Sequence, residues 1–233
     1  MKDLDYNYFY DDNYDIKYCY PGTNVLKNVF VIYVTACSKH LKNAFDKNVI
    51  GYVLKNKLNI RDINTLHDAE RDYSAVRQAE LDKKGVTGDF SIKHLCSIHK
   101  YLFQDIYSWA GKIRTVDISK GTMFCLVPFI ETQFDELYRK LVRENYLADI
   151  TDKKEMSIRL AYYLGELNMI HPFREGNGRT QRIYIEQLCK NNGRFELDFS
   201  EITGDEMLHA SIQSARSDND LLEKIIFKCL IEI

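Results

Sequence analysis

Charge of one sign, long apolar runs, proline and paired cysteines are all scarce in this chain, and each scarcity removes a class of protein. Lys and Arg number 32 against 34 Asp and Glu, a formal net charge of -2, so no general positive field exists to hold a polyanion and nucleic acid is not expected as a partner. The longest apolar run, VFVIYVTAC from Val29 to Cys37, is too short to cross a bilayer as a helix, and no membrane partner is expected. The chain opens MKDLDYNYFYDDNYD, acidic and tyrosine-rich where a secretory leader needs a charged and then an apolar segment. The six cysteines (Cys19, Cys37, Cys96, Cys125, Cys189, Cys229) form no CxxC pair and no zinc spacing, which points to reduced thiols in a cytoplasmic protein. GxxxxGK[ST], GxGxxG after a strand, HExxH and GxSxG are all missing, so the common phosphate-loop, dinucleotide, zinc-protease and serine-hydrolase signatures drop out.

What is present suits a folded protein: 233 residues, 45% hydrophobic and 28% charged, enough for one sizeable core. Only Pro21, Pro128 and Pro172 interrupt the chain, and helical periodicity fills the intervals. Residues 65 to 83 place Leu66, Ala69, Tyr73 and Val76 on one face before Gly85. Residues 91 to 109 do so with Ile92, Leu95, Leu102, Ile106 and Trp109 before Gly111, and residues 131 to 147 with Phe134, Leu137, Tyr138, Leu141 and Val142. In residues 152 to 170, Asp152 and Glu155 have capping-box spacing and Met156, Leu160, Tyr163, Leu164 and Leu167 form the stripe. The expected fold is all-α.

The one convincing stretch of strand is IRTVDISKGTMFCLVPFI, residues 113 to 130, where β-branched alternation flanks a Ser-Lys-Gly turn. A hairpin on a helical body either offers its edge to a visiting peptide or merely packs over the core. The N-terminal third is less regular, with six tyrosines in its first twenty residues, and reads as a poorly ordered or clamp-like arm. VLKN occurs at 25 to 28 and again at 53 to 56, too short an echo to establish a repeat architecture.

The chemistry concentrates in HPFREGNGRTQR, residues 171 to 182. A helix ends near Ile170, Pro172 discourages helix at His171, and the GNG loop lets backbone approach a ligand closely. Helical periodicity resumes through Arg182, Tyr184, Leu188 and Cys189 to a stop at NNG. A second helix starting there points free N–H groups and its positive dipole end into the loop, the geometry that cradles phosphate oxygens. Arg179 and Arg182, three apart, are expected on one face of its first turn. Glu175 beside an anion site suits a Mg²⁺ ion held by one carboxylate plus phosphates and water. His171, with histidine's pKa near neutrality, suits proton removal from an attacking hydroxyl. A histidine before a proline is usually structural and a GNG loop alone is only a turn; their joint occurrence at this spacing carries the argument.

This stretch resembles the signature of Fic-domain proteins, HPFx[D/E]GNGRxxR, at every fixed position. YPGTNVLKN, LFQDIYSWAGKIRTVDISKG and the following TMFC extend the likeness over roughly residues 18 to 230. The resemblance implies an all-helical Fic fold with a short β-hairpin flap over the active site. It further implies Mg²⁺-dependent transfer of a nucleoside monophosphate, usually AMP from ATP, to a Ser, Thr or Tyr hydroxyl of a target protein, with pyrophosphate released. By position, His171 becomes the general base and Glu175 the magnesium ligand. Gly176, Asn177 and Gly178 become the anion hole, Arg179 binds the α- and β-phosphates, Arg182 reaches the γ-phosphate, and Phe173 anchors the nucleotide-binding loop in the core. Asp117, Ile118, Ser119, Lys120, Gly121, Thr122 and Met123 become the flap that pairs with target backbone. Related Doc toxins, which resemble kinases in outcome, carry lysine at the position of Gly178; glycine favours AMP transfer.

Relatives tend to run PGTNVLKNKLGI without interruption, whereas here residues 29 to 56 intervene before KLNI. The expected organisation is therefore an N-terminal arm and insertion over 1 to 64, followed by a Fic domain over 65 to 233. The insertion's Lys excess, with Asp46 its only acid, reads as a solvated face. Many relatives inhibit themselves through an [S/T]xxxE[G/N] helix whose glutamate binds the second motif arginine. The nearest matches here are SKHLKN at 38 to 43, with Lys42 in that place, and SARSDN at 214 to 219, with Asp218 there. Inhibition by a separate small antitoxin chain, or none, is expected. Transfer of UMP or phosphocholine is the alternative within the same class, since the loop reads phosphates and says little about the base. A nucleotide-binding regulatory module without turnover is the alternative outside it, and would have no need of His171 as a base.

Overall fold

The computed structural model describes residues 8–10, 16–18, 53–84, 87–118 and 123–233. Among them, seven helices dominate: α1 (Ile63–Lys84), α2 (Ile92–Phe103), α3 (Ile130–Arg143), α4 (Lys153–Ile170), α5 (Asn177–Asn191), α6 (Gly204–Ser214) and α7 (Asp220–Cys229). Two short antiparallel pairs join β1 (Tyr8–Tyr10) to β2 (Ile16–Tyr18) and β3 (Phe195–Leu197) to β4 (Leu230–Glu232). The remainder of the N-terminal arm, residues 29–52 of the insertion and the SKHLKN match lie outside the described residues.

At the centre runs α4, packed against α3, α5, α6 and α7. Its stripe is fully inside, with Met156, Leu160, Tyr163, Leu164 and Leu167 all buried. Its start is set locally, because the Asp152 carboxylate accepts the Glu155 N–H at 2.7 Å and satisfies one of the donors a helix start leaves over. Gly165 lets the α6–α7 turn come close: a Cβ there would overlap Ser214 Oγ. Beside α4, α5 spans the gap to α2 and carries buried Ile183, Ile185 and Leu188 into the same core. Each such aliphatic side chain contributes roughly 1.5–3 kcal/mol on burial.

Three expectations change. The face predicted for α1 is wrong beyond Leu66: Tyr73 and Val76 are exposed, while Glu70 and Ser74 are buried. Glu70 meets Arg179 and Tyr107 there and Ser74 meets Arg179, so both polar residues face inward and the apolar pattern misreports the helix. Helix α2 stops at Phe103, and Ile106 and Trp109 follow in turns that end at Gly111, whose φ is +80°. Strand pairing is also found where no strand was expected, at β3 and β4, where Phe195 and Leu197 point inward and Glu196 outward. Three-residue strands are too short to reveal an alternation in sequence.

Among its described residues, the segment 113–130 is tied to the body by backbone bonds. Arg114 N–H donates to Pro172 O and Cys125 N–H to Met169 O, both at 2.9 Å, while Phe124 N–H donates to Ile118 O at 3.3 Å. Val116, Ile118 and Phe124 form a small apolar cluster of their own. Of the expected flap residues, Ile118 faces inward and Met123 is exposed. The Asp117 carboxylate accepts Val127 N–H at 2.8 Å, and Ser119, Lys120, Gly121 and Thr122 lie outside the described residues.

Candidate active site

Pro172 bars helical backbone at the residue before it, so α4 ends with His171 in the left-handed region at φ 46° and ψ 60°. That conformation costs a non-glycine residue on the order of 1–2 kcal/mol and needs surroundings that hold it. The His171 N–H stays bonded to Leu167 O at 3.0 Å, and the His171 carbonyl accepts from Arg114 Nε at 2.8 Å. Its ring stacks on Phe124 with centroids 3.7 Å apart. Nδ1 lies 3.1 Å from Asn168 O; a carbonyl can only accept, so Nδ1 carries a proton, and in the neutral ring the lone pair is on Nε2.

The loop beyond is built from inside. Phe173 is fully buried, and its ring stacks on His99 at 4.0 Å. Asn177 Oδ1 accepts Phe173 N–H at 2.9 Å and its Nδ2 donates to Phe173 O at 2.6 Å, closing residues 173–177 into a tied loop. Gly176 has φ +78°, and a Cβ there would overlap the Phe103 ring. Within α5 the first N–H taken by a carbonyl is that of Thr180, bonded to Gly176 O at 3.1 Å, so those of Asn177, Gly178 and Arg179 have no partner inside the helix. Glu175 Oε1 accepts Gly176 N–H at 2.8 Å.

The two motif arginines part company. Arg182 lines the cavity beside this loop, and burial draws its guanidinium below the ordinary value, reinforced by Arg179 and opposed by Glu186. Arginine stays protonated nonetheless, so a partly buried cation faces the cavity. Arg179 turns the other way. It donates to Glu70 O and Ser74 Oγ, each at 2.9 Å, and to Glu70 Oε2 at 3.1 Å, with its guanidinium 4.7 Å over the Phe103 ring. The expectation of a shared arginine face therefore fails, because a buried carboxylate on α1 claims one of the pair. Burial raises the Glu70 pKa, Glu175 raises it further, and Tyr107 and Arg179 pull it back.

A cavity of about 190 Å³ opens between the loop and α6. His171, Glu175, Asn177, Gly178 and Arg182 line one side; Met207, Leu208, Ser211, Ile212 and Ala215 line the other. One wall thus offers an imidazole, a carboxylate, a guanidinium and a helix start, while the opposite wall is mainly apolar. Phe173 and Arg179 do not line the cavity.

Sequence reasoning missed Arg114, His99, Glu70 and the α6 wall. A buried histidine, His99, accepts Gly111 N–H on Nδ1 at 2.8 Å, which leaves Nε2 as the donor to Glu175 O at 3.0 Å. Asp218, which stands in the glutamate's place in SARSDN, is engaged within its own turn. Its carboxylate accepts from Gln213 Nε2 and from Asp220 N–H, which keeps it in the α6–α7 turn.

A histidine, a carboxylate and a helix start thus converge on one cavity in a helical body. The Fic/DOC family profile matches residues 89–189, and with the likeness to a relative given next, the chain belongs to that family. That relative is the "Probable protein adenylyltransferase Fic" of Salmonella typhimurium, 36% identical over 181 residues that make up 77% of this chain and 88% of that protein. Protein adenylyltransferase VbhT of Bartonella schoenbuchensis is 40% identical over 181 residues, 77% of this chain. The chain spans 37% of VbhT's length. Among solved structures, the N-terminal Fic domain of a VirB-translocated Bep effector from Bartonella quintana with bound ADP is 26% identical, with a TM-score of 0.73 over 82% of this chain and 95% of that one. The mainly helical fold agrees with that solved structure.

Proposed function

We propose that this chain is a protein adenylyltransferase that moves AMP from ATP onto a Ser, Thr or Tyr hydroxyl of a target protein. The observation that carries the reading is the meeting of the His171 ring, the α5 start and Arg182 on one side of a cavity whose far wall, on α6, is apolar. Phosphates fit the first side and a nucleobase the second. Relatives named as adenylyltransferases and an ADP-bound neighbour support it.

In this reading His171 Nε2 takes the proton of the incoming hydroxyl. The hydroxyl oxygen attacks the α-phosphorus in line, the bond from that phosphorus to the bridging oxygen breaks, and pyrophosphate leaves with the electron pair. The N–H groups at the start of α5 and the Arg182 guanidinium hold the phosphate oxygens and take up charge as it shifts, so positioning and electrostatics supply most of the catalysis. No cluster of three or more His, Cys, Asp or Glu side chains able to hold a metal occurs among the described residues. A lone carboxylate beside an anion site fits Mg²⁺, which takes its other ligands from phosphates and water, and Glu175 would hold it. Bound there, Mg²⁺ neutralises phosphate charge.

No described helix is long and apolar enough to cross a membrane. Cys96, Cys125, Cys189 and Cys229 are all unpaired, which supports action in the reducing cytoplasm. With Asp218 engaged elsewhere, control by a separate antitoxin chain, or no such control, is the part of the reading that concerns regulation. The test is incubation of the protein with Mg²⁺ and α-labelled ATP, with and without cell lysate, beside His171→Ala. Label on protein that disappears in the variant is expected, and wild-type protein leaving no label on itself or on any lysate protein would sink the proposal. Running UTP, CTP and GTP in parallel tests UMP transfer.

A further inference from the structure

The structure assigns to Arg114 a positioning role in catalysis: one buried guanidinium joins both arms of the 113–126 segment to the carbonyl of His171. Arg114 is almost wholly buried. Its Nη1 donates to Val116 O at 2.6 Å on the first arm, its Nη2 to Cys125 O on the second, and its Nε to His171 O at 2.8 Å. The Asp117 carboxylate lies 3.8 Å from Nη1 and is half-exposed. Nε, Nη1 and Nη2 thus each donate to a carbonyl, on three stretches of backbone, an arrangement that a general ion pair does not need.

Two consequences meet at the base. The His171 backbone sits at positive φ just past a helix end, where its carbonyl has left the helical ladder, and Arg114 supplies that carbonyl with a donor. Cys125 follows Phe124, the residue whose ring stacks on His171, so the tie to the Cys125 carbonyl holds the backbone beside that ring. The bond from Arg114 N–H to Pro172 O adds a second tie between the same segments. Arg114 thus sets the separation between the segment that would present an acceptor hydroxyl and the imidazole that would take its proton. A fork of fixed geometry can hold three carbonyls at once, whereas an ammonium is a point donor on a flexible stem.

The kinetic part of this inference rests on AMP transfer being the reaction; the structural part does not. The test compares wild-type protein with Arg114→Lys and Arg114→Gln by two readouts. Long-range ¹⁵N NMR of the His171 ring is expected to show the Nδ1–H form in wild type and a mixture of tautomers in both variants. Kinetics are expected to show kcat for AMP transfer falling about 100-fold, the scale of an ångström-sized misplacement, with the KM for ATP within about twofold. A variant with a lower melting temperature but unchanged His171 ring signals and unchanged kcat would overturn the assignment, leaving Arg114 a packing residue. If wild-type protein transfers no AMP, the functional proposal fails while the NMR comparison still decides the positioning claim. If neither variant folds, wild-type protein decides: the Arg114 Nε–H signal must exchange slowly with solvent, and rapid exchange would refute the staple.

Discussion

Acidification from pH 7 to pH 5 should weaken this protein through His99, by an amount that follows from its surroundings. Burial pushes the His99 ring down to about 4 from an ordinary 6.5, opposed by the Glu175 carbonyl and charge and assisted by Arg179. The geometry agrees: Nδ1 already accepts Gly111 N–H, so a proton placed there would set two donors against each other. The unfolded chain therefore binds the proton more readily than the folded one. The stability contributed by the neutral ring is complete above the unfolded value and is lost as pH falls from there toward 4. At pH 5 the unfolded histidine is almost fully charged and the folded one almost neutral, which costs about 2 kcal/mol relative to pH 7. Urea unfolding of wild type and His99→Gln at both pH values isolates the contribution. The variant keeps a donor for Glu175 O but loses the acceptor for Gly111 N–H, so it starts less stable at pH 7 by about 1–3 kcal/mol. The gap between the two proteins should then shrink by about 2 kcal/mol at pH 5. A gap that stays constant between the two pH values would show that His99 titrates normally and would refute the argument.

Other changes should separate loop, cation and carboxylate. Arg182→Ala removes the cation facing the cavity and should weaken ATP binding roughly 10- to 100-fold, the worth of one charge-assisted hydrogen bond, as read by calorimetric titration. Gly176→Ala should cost about 2–4 kcal/mol in urea unfolding, from positive φ plus the overlap with Phe103. Gly178→Ala should be far milder, because its Cβ would meet only Arg182 Nη1 at 3.5 Å. Glu70→Leu leaves Tyr107 and Arg179 without their shared partner and should destabilise by about 3 kcal/mol, the lower end for breaking a buried pair because Arg179 is about a quarter exposed; no change in the unfolding midpoint would count against that network.

Sequence alone determined what depends on near neighbours. Pro172 ends α4 at Ile170, Asp152 starts it, Gly176 opens α5 and the NNG stretch closes it. These signals act over a few residues, through backbone sterics and cap hydrogen bonds. The same locality keeps His171, Glu175 and the start of α5 together, so the heart of the site is legible in the order of the residues themselves. Tertiary structure decided which partner each side chain chose. Arg179 and Arg182 are equivalent in spacing, yet one lines the cavity and the other reaches Glu70, 109 positions earlier. Arg114 finds the His171 carbonyl 57 positions away, and His99 finds that of Glu175 across 76. Glu70 and Ser74 broke the apolar pattern of α1 because their worth lies in those remote partners rather than in burying hydrocarbon. Periodicity records which side of a helix avoids water; only packing decides which buried polar groups meet.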